Sequence, residues 1–177
     1  MKKWTGFLVF ALLLSLPVGC SSGNLGGGDS VNPPEDWTVL GGGYSVNLPE
    51  GWTAGEFPGS PYKGLFGTRV NDFTPNINIQ EQSYSGSMDS YIELNMKQIE
   101  KLMKAKKINQ STFYAKNHEG VKVVTNTQLN DLMLTQILYF FENPQGKKVS
   151  LIATSSRESG SQYGPVFDGI VGTFHMK

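Results

Sequence analysis

The sequence predicts an α+β domain: a three-layer α-β-α sandwich whose mostly antiparallel sheet is flanked by a long helix and a short C-terminal helix. Three observations carry that expectation. Residues 88–104 repeat apolar side chains at helical spacing, residues 108–155 alternate as successive strands, and one of those strands is apolar on both faces.

The folded region is expected to begin near Trp37. Tyr44-Ser45-Val46-Asn47-Leu48 alternates apolar and polar, as a half-buried strand does, and Pro49-Glu50-Gly51 turns the chain into Trp52. Residues 64–71 and 76–82 read as two more strands, with Ile77 and Ile79 on one face and Pro75 in the turn between them.

From Ser87 the period changes. Met88, Ile92, Met96, Ile99 and Met103 fall within about 80° of one another around a helix. Glu93, Lys97, Glu100, Lys101 and Lys104 take the opposite side, with Glu93/Lys97 and Glu100/Lys104 as favourable i,i+4 pairs. Ser87 fits the N-cap. The methionine stripe reads as core packing before it reads as a ligand face.

Strands are expected at about 108–116, 121–129, 132–142 and 147–155, joined by turns at Asn117-His118-Glu119-Gly120 and Asn143-Pro144-Gln145-Gly146. In the second, Val121, Val123 and Leu129 share a face with Thr125 and Thr127, opposite Lys122, Asn126 and Gln128. The third carries Leu132, Leu134, Leu138 and Phe140 on one face and Met133, Ile137, Tyr139 and Phe141 on the other. A strand apolar on both faces must be covered on both, which places it centrally. Val166, Phe167, Ile170, Val171 and Phe174 recur at helical spacing after Pro165, so a helix over 165–172 supplies the second cover.

The chain opens on Lys2 and Lys3, followed by an apolar run from Phe7 to Val18. That run is too short for a spanning helix, which needs about 20 residues, and fits the apolar region of a secretory signal. Leu16-Pro17-Val18-Gly19-Cys20 resembles the lipobox of bacterial lipoproteins, with proline standing where leucine is usual. The resemblance implies a signal peptide over 1–19, removed before Cys20, and lipidation (acyl chains such as palmitate) on Cys20. A lone cysteine has no disulfide partner within the chain, which agrees with that role. Ser21 follows in place of aspartate, favouring the outer membrane if the host is Gram-negative. Residues 20–36 then form a Gly/Ser/Pro tether with a reach of roughly 20–24 Å. Gly41-Gly42-Gly43 lacks the lysine and helix of a phosphate loop and reads as the end of this tether.

About 158 residues remain after the signal, enough for one domain with a real core. Lysine plus arginine balances aspartate plus glutamate at 15 each in the whole chain. That balance argues against nucleic acid and against a polybasic membrane patch.

The order of elements, with Tyr44-Ser45-Val46-Asn47-Leu48-Pro49-Glu50-Gly51-Trp52 at the start and Phe167, Ile170 and Phe174 at the end, resembles the PsbP-like superfamily (PsbP, DcrB and Mog types) over about residues 38–175. The resemblance implies a shared fold over a domain of 37–177. It transfers no catalytic residue, because the superfamily has no common active site.

The residues themselves offer no catalytic, cofactor-binding or metal-binding set. His118 and His175 are the only histidines, no Gly-x-Ser-x-Gly elbow occurs, and no Cys/His spacing suits zinc. The aromatic segment 52–73 (Trp52, Phe57, Tyr62, Phe66 and Phe73 among others) reads either as a recognition surface or as a lid on the core. The expectation is a non-enzymatic, lipid-anchored envelope protein that binds or assists another envelope protein, with no cofactor. The alternatives are a carrier of a small apolar ligand and a hydrolase using serine and His118.

Overall fold

The computed structural model describes residues 37–177. The expected signal peptide, the Cys20 lipidation site and the tether lie outside the described residues. Within them the chain is a mixed α+β fold of two helices and two antiparallel sheets. The small sheet runs β1 (Trp37–Gly41), β2 (Tyr44–Asn47) and β10 (His175–Met176). The large sheet has seven strands in the order β3 (Thr53–Glu56), β4 (Lys63–Phe66), β5 (Asn76–Gln82), β9 (Lys148–Ser156), β8 (Leu132–Glu142), β7 (His118–Leu129) and β6 (Lys106–Ala115). The helices are α1 (Met88–Met103) and α2 (Gly160–Gly172).

Side-chain alternation along β8 explains where the helices sit. Leu134, Leu138 and Phe140 join Tyr91, Ile92, Ile99 and Met103 of α1 in one buried cluster. Ile137, Tyr139 and Phe141 point the other way, into a cluster with Tyr163, Phe167, Ile170 and Val171 of α2 and Tyr44 and Val46 of the small sheet. A strand with no polar face is thus buried on both sides, as its composition requires. Phe140 and Phe141 are both 0 % exposed.

α1 begins and ends where its sequence signals say. Ser87 accepts a hydrogen bond from the Ser90 amide at 3.2 Å, satisfying one orphan N–H of the first turn. Ile92, Ile99 and Met103 are buried and Met88 and Met96 pack beside them, so the methionine stripe is core. Glu93 and Lys97 pair at 2.6 Å. Lys104 does not extend the helical surface toward Glu100, because it turns out of the helix as the C-cap with φ 47°.

Four expectations change. Gly41-Gly42-Gly43 is no tether: all three residues have positive φ and turn β1 into β2, and at Gly42 a Cβ would lie 2.6 Å from the Tyr62 ring. The strand expected over 64–71 stops at Phe66, and residues 67–75 form a loop held by the Val70–Phe73 bridge. α2 starts at Gly160, five residues before Pro165. Gly164 makes that possible, since without a Cβ it escapes the clash that bars most residues before proline from helical geometry. His118 is the first residue of β7, paired with Ala115, with the turn itself at Lys116-Asn117.

Candidate functional site

An open groove of about 500 Å³ runs between α2 and the outward face of β7 and β8. Its walls include Lys122, Asn126, Ile137, Arg157, Gly164 and Asp168. Strand alternation supplies the floor: Lys122, Val124 and Asn126 share one face of β7, and Thr135 and Ile137 stand beside them on β8. Small residues on α2 set the groove's shape. A Cβ at Gly160 would lie 2.7 Å from Thr135 Oγ1, so only glycine lets the first turn of α2 approach β8 this closely.

Two fixed polar features line the groove: Thr135 Oγ1 donates to Asn126 Oδ1 at 3.3 Å, and a three-residue cluster holds its other end. Lys122 Nζ donates to Asp168 Oδ1 at 2.7 Å and Oδ2 at 2.6 Å, and Tyr139 OH donates to Oδ1 at 2.7 Å. Burial, then the hydrogen bond to Asp168 and its charge, push the Tyr139 phenol far above its usual range. The phenol therefore remains a donor, and one ammonium and one hydroxyl hold the carboxylate in place with three hydrogen bonds. Such a cluster fixes the wall of the groove by tying α2 to β7 and β8.

The opposite flank of α2 carries a second, more apolar groove of about 380 Å³, lined by Leu48, Pro49, Val166, Ile170 and Thr173. The Asn47 amide donates to Thr173 Oγ1 at 2.9 Å and ties β2 to the end of the helix there. α2 therefore presents a ridge between two shallow channels.

The two histidines lie away from the polar cluster of the groove. His175 lies edge-on to Trp37 with ring centres 5.7 Å apart, and Lys116 Nζ sits 3.3 Å from the Trp37 ring centre on a neighbouring turn. Burial, then the nearby charges of Lys116, His118 and Lys177, lower the His175 pKa. His118 is about 13 Å along β7 from Lys122 by strand rise, so it does not join the groove's polar cluster. Among the described residues no group of three or more His, Cys, Asp or Glu side chains could hold a metal.

A second polar network joins the two sheets. Tyr44 OH and Lys147 Nζ both donate to Glu81, the latter at 2.5 Å, and Asn143 Nδ2 donates to Tyr44 OH at 3.1 Å. Burial works to raise the Glu81 pKa, but the hydrogen bonds from Lys147 and Tyr44 outweigh it and hold the carboxyl below its ordinary value. Tyr44, on the donating side, is raised by burial and by Glu81.

Trp52, Tyr62 and Phe73 of the aromatic segment 52–73 pack onto the core, while the half-buried Phe57 and Phe66 pair with each other. Trp52 meets Phe167 edge-on at 5.9 Å, Phe57 stacks on Phe66 at 6.2 Å, Tyr62 meets Tyr44 at 5.4 Å, and Phe73 packs on the α1 cluster. The contacts of Trp52, Tyr62 and Phe73 are those of a lid on the core; the Phe57–Phe66 pair stays at its half-buried rim. Sequence reasoning missed both grooves, because their walls come from two or three separated segments; the only local signal was Gly160, Gly164 and Gly169 on one helix.

No family model matches the sequence, and no curated protein does either. Solved structures do match. The solution structure of cyanobacterial PsbP (CyanoP) from Synechocystis sp. PCC 6803 aligns over 85 % of this chain and 98 % of its own, with TM-score 0.58 and 14 % identity. The crystal structure of LpqN, involved in cell envelope biogenesis of Mycobacterium tuberculosis, aligns over 76 % of this chain and 83 % of its own, with TM-score 0.62 and 13 % identity.

Proposed function

We propose, from the fold the described residues share with CyanoP and LpqN, a non-enzymatic, lipid-anchored envelope protein that presents this PsbP-like domain, as an α-β-α sandwich, to another envelope protein. The anchor rests on the lipobox-like segment ending at Cys20. The fold likeness to LpqN, a protein of envelope biogenesis, supports the same compartment.

The observation that carries the binding reading is the groove beside α2. It is wide, open and lined by both apolar and polar side chains, and the carboxylate of Asp168 in its wall is held by Lys122 and Tyr139. A surface of that kind suits a peptide or loop of a partner better than a reaction centre. Val124 and Ile137 would give apolar contact, while Asn126 and Arg157 would supply hydrogen bonds at the rim.

Site-specific photo-crosslinking in intact cells tests this. A photoreactive residue at Ser161, on the groove wall, should trap one recurrent envelope protein identified by mass spectrometry. The same group at Gln145, in the β8–β9 turn, should not. Equal, diffuse products from both positions would refute the groove as a docking site.

A further inference from the structure

We propose that the last turn of α1 and the edge strand β6 form a docking surface for an anionic phospholipid bilayer. The whole-chain charge balance argued against a basic membrane patch, but the fold collects basic residues on one edge. From Lys101 to His118 the sequence holds five lysines and no aspartate or glutamate. These residues make up the end of α1, all of β6 and the turn that follows. No ion pair among the described residues involves Lys101, Lys104, Lys106, Lys107 or Lys116.

Exposed apolar side chains stand among those cations. Leu102 is 59 % exposed, Ile108 56 % and Tyr114 65 %. β6 pairs only with β7, and eight of its ten residues, from Lys106 to Thr112 and again at Tyr114, are exposed. An interleaving of lysine with aliphatic and tyrosine side chains suits a lipid interface, where long ammonium stems lie along apolar surface with the charge in the headgroups. A protein partner is the weaker fit, since protein interfaces favour arginine and are depleted in lysine.

The position of the chain's N-terminal side agrees. Lys116 lies over the Trp37 ring, so the chain segment preceding Trp37 joins the domain at the far end of β6. β6 is about 33 Å long by strand rise. A domain tethered from that corner can lie with the whole edge along the membrane. Lysines on an edge strand also hinder strand-to-strand aggregation, and the experiment separates that role from lipid docking.

The test uses the chain of residues 20–177 carrying Cys20→Ser, so that no acyl chain contributes. Co-sedimentation with vesicles of phosphatidylcholine alone is compared with vesicles that also contain phosphatidylglycerol. Binding should require phosphatidylglycerol and weaken with added salt. Each lysine near such a surface strengthens binding by roughly fivefold, so Lys101→Gln, Lys104→Gln, Lys106→Gln and Lys107→Gln together should reduce it by at least about a hundredfold. Ile108→Ser with Tyr114→Ser should weaken binding at low and high salt alike. All these side chains are exposed, and an unchanged circular dichroism spectrum verifies folding. The proposal is overturned if the parent chain ignores phosphatidylglycerol. It is equally overturned if the lysine variants bind vesicles unchanged and merely aggregate, or if the edge retains poly-glutamate but not vesicles.

Discussion

Tyr44 and Tyr139 each donate a phenolic proton to a carboxylate, Glu81 and Asp168 respectively, and are 2 % and 0 % exposed. Ionising either would set a phenolate against a carboxylate out of water, and both phenols are accordingly raised well above the ordinary tyrosine value of 10.0. The sign of the consequence follows from proton counting. In the unfolded chain both tyrosines release protons near pH 10; in the native state they keep them, so the folded form binds more protons and stability falls as pH rises. Between about pH 9 and 11 each phenol removes about 1.4 kcal/mol, or about 2.7 kcal/mol for the two. Urea unfolding followed across that range reads the loss directly. Lys97 and Lys147, raised by their hydrogen bonds to Glu93 and Glu81, contribute in the same direction, so the parent is compared with Tyr44→Phe and Tyr139→Phe, each of which should flatten the alkaline limb by about half of the two-phenol loss. Ultraviolet titration of the native protein provides the second reading: at least two of the seven tyrosines should stay protonated while the fold persists. If all seven ionise near pH 10 in a protein that keeps its near-ultraviolet dichroism, the reasoning fails.

Gly120→Ala should cost about 3 kcal/mol or more, because the new Cβ would sit 2.5 Å from both the Phe140 carbonyl oxygen and the Phe141 ring. A melting temperature lower by roughly 10 °C checks it; an unchanged one would mean β7 and β8 are not held in this register. Ser87→Ala should destabilise by about 1 kcal/mol through loss of the N-cap bond to Ser90, with Ser87→Asp restoring most of it in thermal unfolding.

Much of this fold was legible where pattern and burial coincide. α1 matched its predicted span to within one residue because a 16-residue amphipathic stripe is bounded by a serine cap and a left-handed lysine. β8 declared its central place by having no polar face. β3 was invisible: Thr53-Ala54-Gly55-Glu56 has no large apolar residue and only one β-branched one, and it forms an edge held by pairing with β4. The β1–β2 hairpin was hidden by its own turn, since three glycines look the same in a tether as in a chain reversal at positive φ. The groove beside α2 could not be read at all. Lys122, Tyr139 and Asp168 are separated by up to 46 positions, and only the β7–β8 pairing and the crossing of α2 bring them together. The basic edge shows a different failure. Its lysines are consecutive enough to see, but averaging charge over the chain cancelled them.

The central claim is that a lipid on Cys20 holds this domain at a membrane, and intact mass spectrometry of the protein recovered from its native envelope tests that most directly. The mass should equal residues 20–177 with a diacylglyceryl group on Cys20, with or without a further acyl chain on its amino group. A chain that retains residues 1–19, or one cut there with Cys20 unmodified, would contradict it.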